Sequence, residues 1–324
     1  MGLPDPMNEP LPTPLEDRPH KRRPVPLALL VAMRPKQWMK NLLVLAGLLF
    51  TLDRRHPLND FQLVGGGFLL FCLLSSVVYL INDLVDQESD RRHPRKRRRP
   101  IACGELPPKV AIAAAVIFGA IGLGGAVALN PMFGAVAILY FLLTLGYSFH
   151  FKHIVIIDVL VLAAGFVLRA IAGVVLIQAG LSNWLILCTL MLALFLGLSK
   201  RRAELIAMER SGATGTRRIL NEYTSGMLDQ MIVIVTSSCL MSYSLYTIES
   251  DAAARHHYLM VTIPFVIYGI FRYLYLMHRH MLGESPDAVI LEDRPTLINI
   301  ALWGVTTALI VSHVFDPLLS HLTH

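Results

Sequence analysis

The chain has 324 residues, of which 54% are hydrophobic and only 16% charged, with a formal net charge of +6 and a mean hydropathy of +0.55. So apolar a balance excludes an ordinary soluble domain and points to a polytopic membrane protein. The four cysteines, Cys72, Cys103, Cys188 and Cys239, show no paired spacing, so neither a disulfide framework nor a zinc site is expected.

Residues 1–24 are Pro-rich and charged and lack the apolar core of a signal peptide, so they read as a disordered cytosolic tail. Residues 25–324 read as one membrane domain, with no internal repeat or soluble insertion. A spanning helix needs about 20 apolar residues. Nine stretches qualify: 25–52, 60–82, 108–129, 131–149, 154–178, 182–199, 226–248, 258–278 and 296–318. The expected fold is therefore all-α. Nearly every Lys and Arg outside the spans falls on the side of the N-terminus; only Arg54, Arg55 and Arg255 lie on the other. The positive-inside rule then puts the N-terminus in the cytosol and the C-terminus outside, as for a multi-pass protein of the inner (plasma) membrane.

The first span opens with Arg34-Pro35-Lys36-Gln37-Trp38-Met39-Lys40-Asn41. On an α-helix Lys36 and Lys40 share a face, and Gln37 and Asn41 form a second polar pair beside them. Two cations and two amides suit a phosphate at the interface; the alternative is interfacial anchoring by Trp and Lys.

The second span runs into Asn82-Asp83-Leu84-Val85-Asp86-Gln87-Glu88-Ser89-Asp90 and then the basic run 91–99. At helical spacing Asp86 lies about 300° and Asp90 about 340° round from Asp83, so the three carboxylates share one face. Carboxylates at the mouth of a membrane helix are costly unless an ion satisfies them. Oxygen-only ligands suit Mg²⁺, which binds through one or two carboxylates plus substrate phosphates. Asp83, Asp86 and Asp90 are thus the candidate metal and catalytic residues, with Asn82 in support. The competing reading is a solvated, capped helix end. Most of the basic run is what topology demands, and Arg97, Arg98 and Arg99 are weaker candidates for a substrate phosphate.

Tyr147 and Lys152 follow the fourth span, and Asp158 enters the fifth. Asp158 and Arg169 share a face but stand about 16 Å apart along the axis, too far to pair. Each needs another partner, and Arg169 is a candidate phosphate ligand. The sixth span ends in Lys200-Arg201-Arg202-Ala203-Glu204, cationic with one carboxylate. Asp293 precedes Pro295-Thr296 and reads as a capping-region residue of the last span.

Taken together, Asn82-Asp83-x-x-Asp86-x-x-x-Asp90 followed by Tyr147, Lys152 and Asp158 resembles the UbiA superfamily of intramembrane transferases. The resemblance covers nearly the whole chain after the tail. It implies nine helices around a central cavity open to the cytosol, with the aspartates on a magnesium–diphosphate unit. Within the superfamily, several segments are similar to the decaprenyl-phosphate phosphoribosyltransferase branch. These are Arg34 to Asn41, 91–100 with Ile101-Ala102-x-Gly104, Leu168-Arg169-Ala170, Lys200-Arg201-x-x-Glu204 and Asp293-Arg294-Pro295. That branch implies transfer of 5-phosphoribosyl from phosphoribosyl diphosphate to a polyprenyl phosphate for arabinan-type envelope precursors. One departure stands out: prenyl-transferring members carry a second aspartate-rich motif after span six, where this chain has Lys200-Arg201-Arg202-x-Glu204. Such cations suit an additional phosphate on donor or acceptor.

The expected substrate ligands are therefore Lys36, Lys40, Asn41, Asn82, Tyr147, Lys152, Arg169, Lys200, Arg201 and Glu204. The expected partners are phosphoribosyl diphosphate, a polyprenyl phosphate, Mg²⁺ and the bilayer, not nucleic acid; self-association is left open. Two other functions compete. One is UbiA-type prenyl transfer to a quinone or haem precursor. The other is non-catalytic transport or binding of a lipid phosphate.

Overall fold

The computed structural model describes residues 23–49, 58–92, 96–211, 218–256, 258–279 and 292–312. The expected tail, apart from residues 23 and 24, lies outside them. So do Arg54, Arg55, Arg95, Arg217 and residues 313–324. All regular structure among the described residues is helical. In chain order the α-helices are α1 (Val25–Ala32), α2 (Ala46–Leu49), α3 (Leu58–Val85), α4 (Gln87–Arg92), α5 (Pro108–Leu129) and α6 (Pro131–Phe149). The rest are α7 (Ile157–Leu176), α8 (Asn183–Ser211), α9 (Ser225–Glu249), α10 (Asp251–Arg255), α11 (Ile263–Arg279) and α12 (Arg294–Val311).

Among the described residues, 8 helices are long and apolar enough to cross a bilayer: α3, α5 to α9, α11 with the 3₁₀ turn before it, and α12. These match eight of the nine expected spans closely. The other, 25–52, is not one continuous helix. α1 stops at Ala32, Arg34 takes a left-handed backbone (φ 55°), and Pro35–Leu45 is an eleven-residue 3₁₀ helix that leads into α2. Pro35 is the cause: it disfavours helical backbone at the residue before it and offers no N–H to continue the α ladder.

The 3₁₀ geometry changes which side chains meet. Three residues per turn put i and i+3 on one side. Trp38, Asn41 and Val44 accordingly form the inward stripe. Trp38 Nε1 donates to Ser76 Oγ (3.0 Å) and Asn41 Nδ2 to Ser75 Oγ (3.2 Å), both on α3. Val44 is fully buried, and its carbonyl lies so close to Gly173 of α7 that a Cβ there would be 1.9 Å from the oxygen. Lys36 and Lys40 stand about 120° apart instead of sharing a face. Lys36 is exposed and Lys40 half-buried.

The long helices follow one another antiparallel through short links. Asn130 alone separates α5 from α6; its Oδ1 accepts from the Met132 and Phe133 N–H groups (2.9 and 3.1 Å), and Pro131 opens α6. α3, α6 and α8 therefore end at the same side of the bundle where α5, α7 and α9 begin. One core packs Phe71, Phe133 and Tyr140 between the 3₁₀ helix, α3, α6 and α7. A second packs Phe195, Leu228, Ile232 and Tyr273 between α8, α9 and α11. Large apolar side chains such as Ile117, Ile121, Val233 and Ile234 point outward, as lipid-facing surfaces require.

Candidate active site

Two charged clusters form where α3, α6 and α8 end. The first surrounds the end of α3. Helical hydrogen bonding persists across the turn at Asp86: its N–H donates to Asn82 O (2.9 Å), and the Asp90 N–H donates to Asp86 O (2.8 Å). Asp83 (2% exposed) and Asp90 (1% exposed) therefore converge. Arg99 Nη1 bridges them, 2.6 Å from Asp90 Oδ2 and 3.1 Å from Asp83 Oδ1. Arg34 Nη2 donates to the same Asp83 Oδ1 at 2.6 Å and stacks on the Tyr79 ring at 4.7 Å.

Half-buried Asp86 and Asn82 lie four residues apart, and neither side chain has a hydrogen-bond or ion-pair partner among the described residues. Two acidic residues are thus closed by arginine, and one is left open beside an amide. Arg34 and Arg99 lie 49 and 16 residues from Asp83, separations that no periodicity reveals. Arg97 and Arg98 are exposed.

Among the described residues no three or more His, Cys, Asp or Glu are gathered as a metal cage. The donor set still fits Mg²⁺, which keeps several waters and takes one or two carboxylates together with substrate phosphates. Asp86 is open to it, and the Asp83–Asp90 pair already accommodates a cationic nitrogen between two oxygens.

The second cluster is built around Asp158, which is fully buried at the start of α7. Arg201 (1% exposed) donates from Nε to Asp158 Oδ2 at 2.6 Å and from Nη2 to the Tyr147 hydroxyl at 2.9 Å, and Nη1 pairs with Glu204. The Tyr223 hydroxyl donates to Asp158 Oδ1 (2.9 Å) and accepts from the Ile156 N–H (2.7 Å). Burial, helped by Asp158 alongside, pushes that hydroxyl up to about 12, so Tyr223 remains a donor at neutral pH. The contact also holds Ile156 at φ 69°, a left-handed backbone that a β-branched residue adopts only under constraint. Arg202 pairs with Asp229 of α9. The positive excess read from Lys200-Arg201-Arg202 is therefore largely cancelled: Asp158, Glu204 and Asp229 face the two arginines.

Arg169 does not reach Asp158. Its Nε donates to Asn41 Oδ1 (2.8 Å), Nη1 to Gly165 O (3.0 Å) and Nη2 to the Tyr140 hydroxyl (2.8 Å), with its guanidinium over the Tyr140 and Phe166 rings. All three nitrogens have protein partners, and the group ties the 3₁₀ helix, α6 and α7 together. Asn41 is fully buried and belongs to this tie. Lys152 is half-buried with no partner among the described residues, and Lys200 is half-buried within α8, beside Arg201. Sequence reasoning passed over Arg34, Tyr140, Tyr223 and Asp229 as site residues. The position of Arg34 before a proline was the one local signal.

A model of the UbiA prenyltransferase family matches residues 41–282. The decaprenyl-phosphate phosphoribosyltransferase of Mycobacterium tuberculosis is 36% identical over 284 residues, covering 87% of this chain and 93% of that protein. The protein of the same name from Corynebacterium glutamicum is 36% identical over 311 residues, 91% of each. Among solved structures, a UbiA homolog from Archaeoglobus fulgidus bound to GPP and Mg²⁺ superposes with a TM-score of 0.67 at 19% identity, over 88% of this chain and 99% of that one. The antiparallel helical bundle is thus a shared architecture, and the chain belongs to the UbiA prenyltransferase family.

Proposed function

We propose that this protein transfers 5-phosphoribosyl from phosphoribosyl diphosphate to a polyprenyl phosphate of the decaprenyl type and releases diphosphate. One observation carries the reading: relatives named for that activity are 36% identical over 87% to 91% of the chain. Likeness to the GPP-bound structure, at 19% identity, speaks to the fold and not to the substrate.

In this reading the Arg-rich end of the bundle faces the cytosol of a plasma-membrane protein, as the distribution of Lys and Arg favours. Asp83, Asp86 and Asp90 hold the divalent ion, Mg²⁺ by its preference for oxygen ligands, with Asn82 beside them. Bound there, Mg²⁺ supplies charge neutralisation of the diphosphate leaving group. A lipid phosphate oxygen forms the new bond to the anomeric carbon while the carbon–oxygen bond to diphosphate breaks, its electron pair leaving with the diphosphate. A phosphate monoester is already ionised near neutral pH (second pKa about 6), so no general base is needed.

The protein's own work is positioning and charge placement. Lys36, Lys40, Lys152 and Lys200 meet the phosphates, whereas Arg169 and Arg201 serve within the protein. Those two, with Asn41, Tyr147, Asp158 and Glu204, hold the frame on which the ligands sit. An apolar groove of about 310 Å³ between α3, α5 and α6, lined by Val77, Ile81, Leu84, Val116 and Phe141, suits the lipid's isoprenoid chain.

The test is to incubate purified protein with phosphoribosyl diphosphate, Mg²⁺ and mixed polyprenyl phosphates, with labelled prenyl diphosphate in a parallel arm. Mass spectrometry of the lipids should find a phosphoribosylated polyprenyl phosphate. A product only in the prenyl arm, or none in either, refutes the proposal.

A further inference from the structure

Asp83 and Asp90 are buried anions, and two arginines of different character neutralise them. Arg34 is fixed: its backbone is held left-handed before Pro35, and its guanidinium is stacked on Tyr79. Arg99 is different. Its main chain is anchored, with the Arg99 N–H on Lys96 O (2.9 Å) and its carbonyl accepting from the Cys103 N–H (2.9 Å). α4 latches the same loop through Arg91 Nε to Ala102 O (3.1 Å) and Gln87 Nε2 to Ile101 O (3.4 Å). The Arg99 side chain is about as open as that of Arg34 (26% against 29% exposed), is held by no ring stack like that of Arg34 on Tyr79, and places one nitrogen between two carboxylates. An anchored backbone with a half-open, rotatable cation is built to let go without disturbing the fold.

Resting on the metal reading above, we infer that Arg99 is a displaceable internal counter-ion. It occupies the Asp83–Asp90 pair while no divalent ion is there, competes with the bare ion for those oxygens, and turns to the incoming diphosphate once displaced. Arg99 Nη1 takes up the Asp90 Oδ2 and Asp83 Oδ1 lone pairs that a divalent ion bridging the pair would need, so guanidinium and ion compete for the same oxygens. The departing guanidinium then has a new anion within reach, and forked donors suit phosphate oxygens. The metal is consequently taken up well with diphosphate and poorly without it. Arg34 keeps Asp83 compensated throughout.

The experiment measures Mn²⁺ binding by the paramagnetic resonance of free Mn²⁺, using full-length purified protein without donor or acceptor, then with added diphosphate. Arg99→Gln is compared with wild type, with Arg92→Gln as an exposed-charge control and Asp86→Asn as a control on the metal reading. With Mn²⁺ alone, Arg99→Gln should bind at least about tenfold more tightly than wild type, while Arg92→Gln matches wild type. Adding diphosphate should strengthen wild-type binding and close most of the gap. If Arg99→Gln does not yield folded protein, Arg99→Lys replaces it: a point charge cannot match the fork, and a gain of at least about threefold is expected.

Asp86-dependent binding that is equal in wild type and the Arg99 variant overturns the counter-ion inference and leaves the metal reading standing. Absence of Mn²⁺ binding in every protein even with diphosphate, or binding indifferent to Asp86→Asn, overturns the metal reading and this inference with it.

Discussion

At the scale of single residues, the acidic end of α3 divides its labour. Asp83 and Asp90 are closed by arginine, and half-buried Asp86 and Asn82 have no side-chain partner among the described residues. Asp86→Asn should leave the fold intact and lower Mg²⁺-dependent diphosphate release by about 10²-fold; activity retained at saturating Mg²⁺ would exclude Asp86 from the metal. Arg201 invites the opposite expectation. It is buried among Asp158, Glu204 and Tyr147, so Arg201→Gln strands buried carboxylates and should cost about 3–5 kcal/mol of stability. A large fall in melting temperature checks this. A variant that melts like wild type but shows a raised KM for the donor would instead make Arg201 a phosphate ligand. The convergence of Asp83 and Asp90 was legible because helical spacing puts them within about 20° of one another, whereas the structure joins Asp86 to neither. Their counter-charges were not, because Arg34 and Arg99 reach Asp83 from distant parts of the chain.

At the scale of elements, the long helices could be read closely from apolar runs bounded by polar residues, since a bilayer demands about 20 such residues at a stretch. The N-terminal segment was misread because a polar stripe every three or four residues fits both helix types. Only the proline, and the crowding against α7, distinguishes them. That crowding is testable. Gly173→Ala places a methyl against the Val44 carbonyl, which forces the 3₁₀ helix away from α7 and pulls Asn41 from Arg169. A loss of about 1–3 kcal/mol is expected, read as a lowered melting temperature.

α12 offers a second element-scale test. Asp293 caps it through the Thr296 N–H (3.0 Å) and hydroxyl (2.7 Å) and pairs with Arg272 of α11. Hydrogen bonding from Arg272, the largest influence, holds its carboxyl well below the ordinary range. A depressed carboxyl stabilises the fold above its unfolded pKa of about 3.9 and loses that contribution as pH falls toward its folded value. Asp293→Asn should therefore melt below wild type at pH 7, and the difference should shrink as pH drops below about 4. A constant gap across that range would show that ionisation of Asp293 is irrelevant to α12.

At the scale of the whole molecule, the charged clusters gather at one end of a bundle whose flanks are apolar. Cys103 sits exposed in the loop that carries Arg99, whereas Cys72 and Cys239 are buried and Cys188 half-buried within α8. A membrane-impermeant maleimide should label Cys103 in inverted vesicles and spare it in intact cells. Labelling from outside would reverse the proposed orientation. The order of the two arginines along the chain has a consequence of its own. Arg34 precedes Asp83 and Arg99 follows it, so a polypeptide emerging N-terminus first already carries a partner for Asp83 when α3 leaves the ribosome. A buried anion without a counter-charge is costly. The left-handed kink before Pro35 thereby lets Asp83 become buried at the mouth of α3 with its charge already matched, before the loop that carries Arg99 has been made.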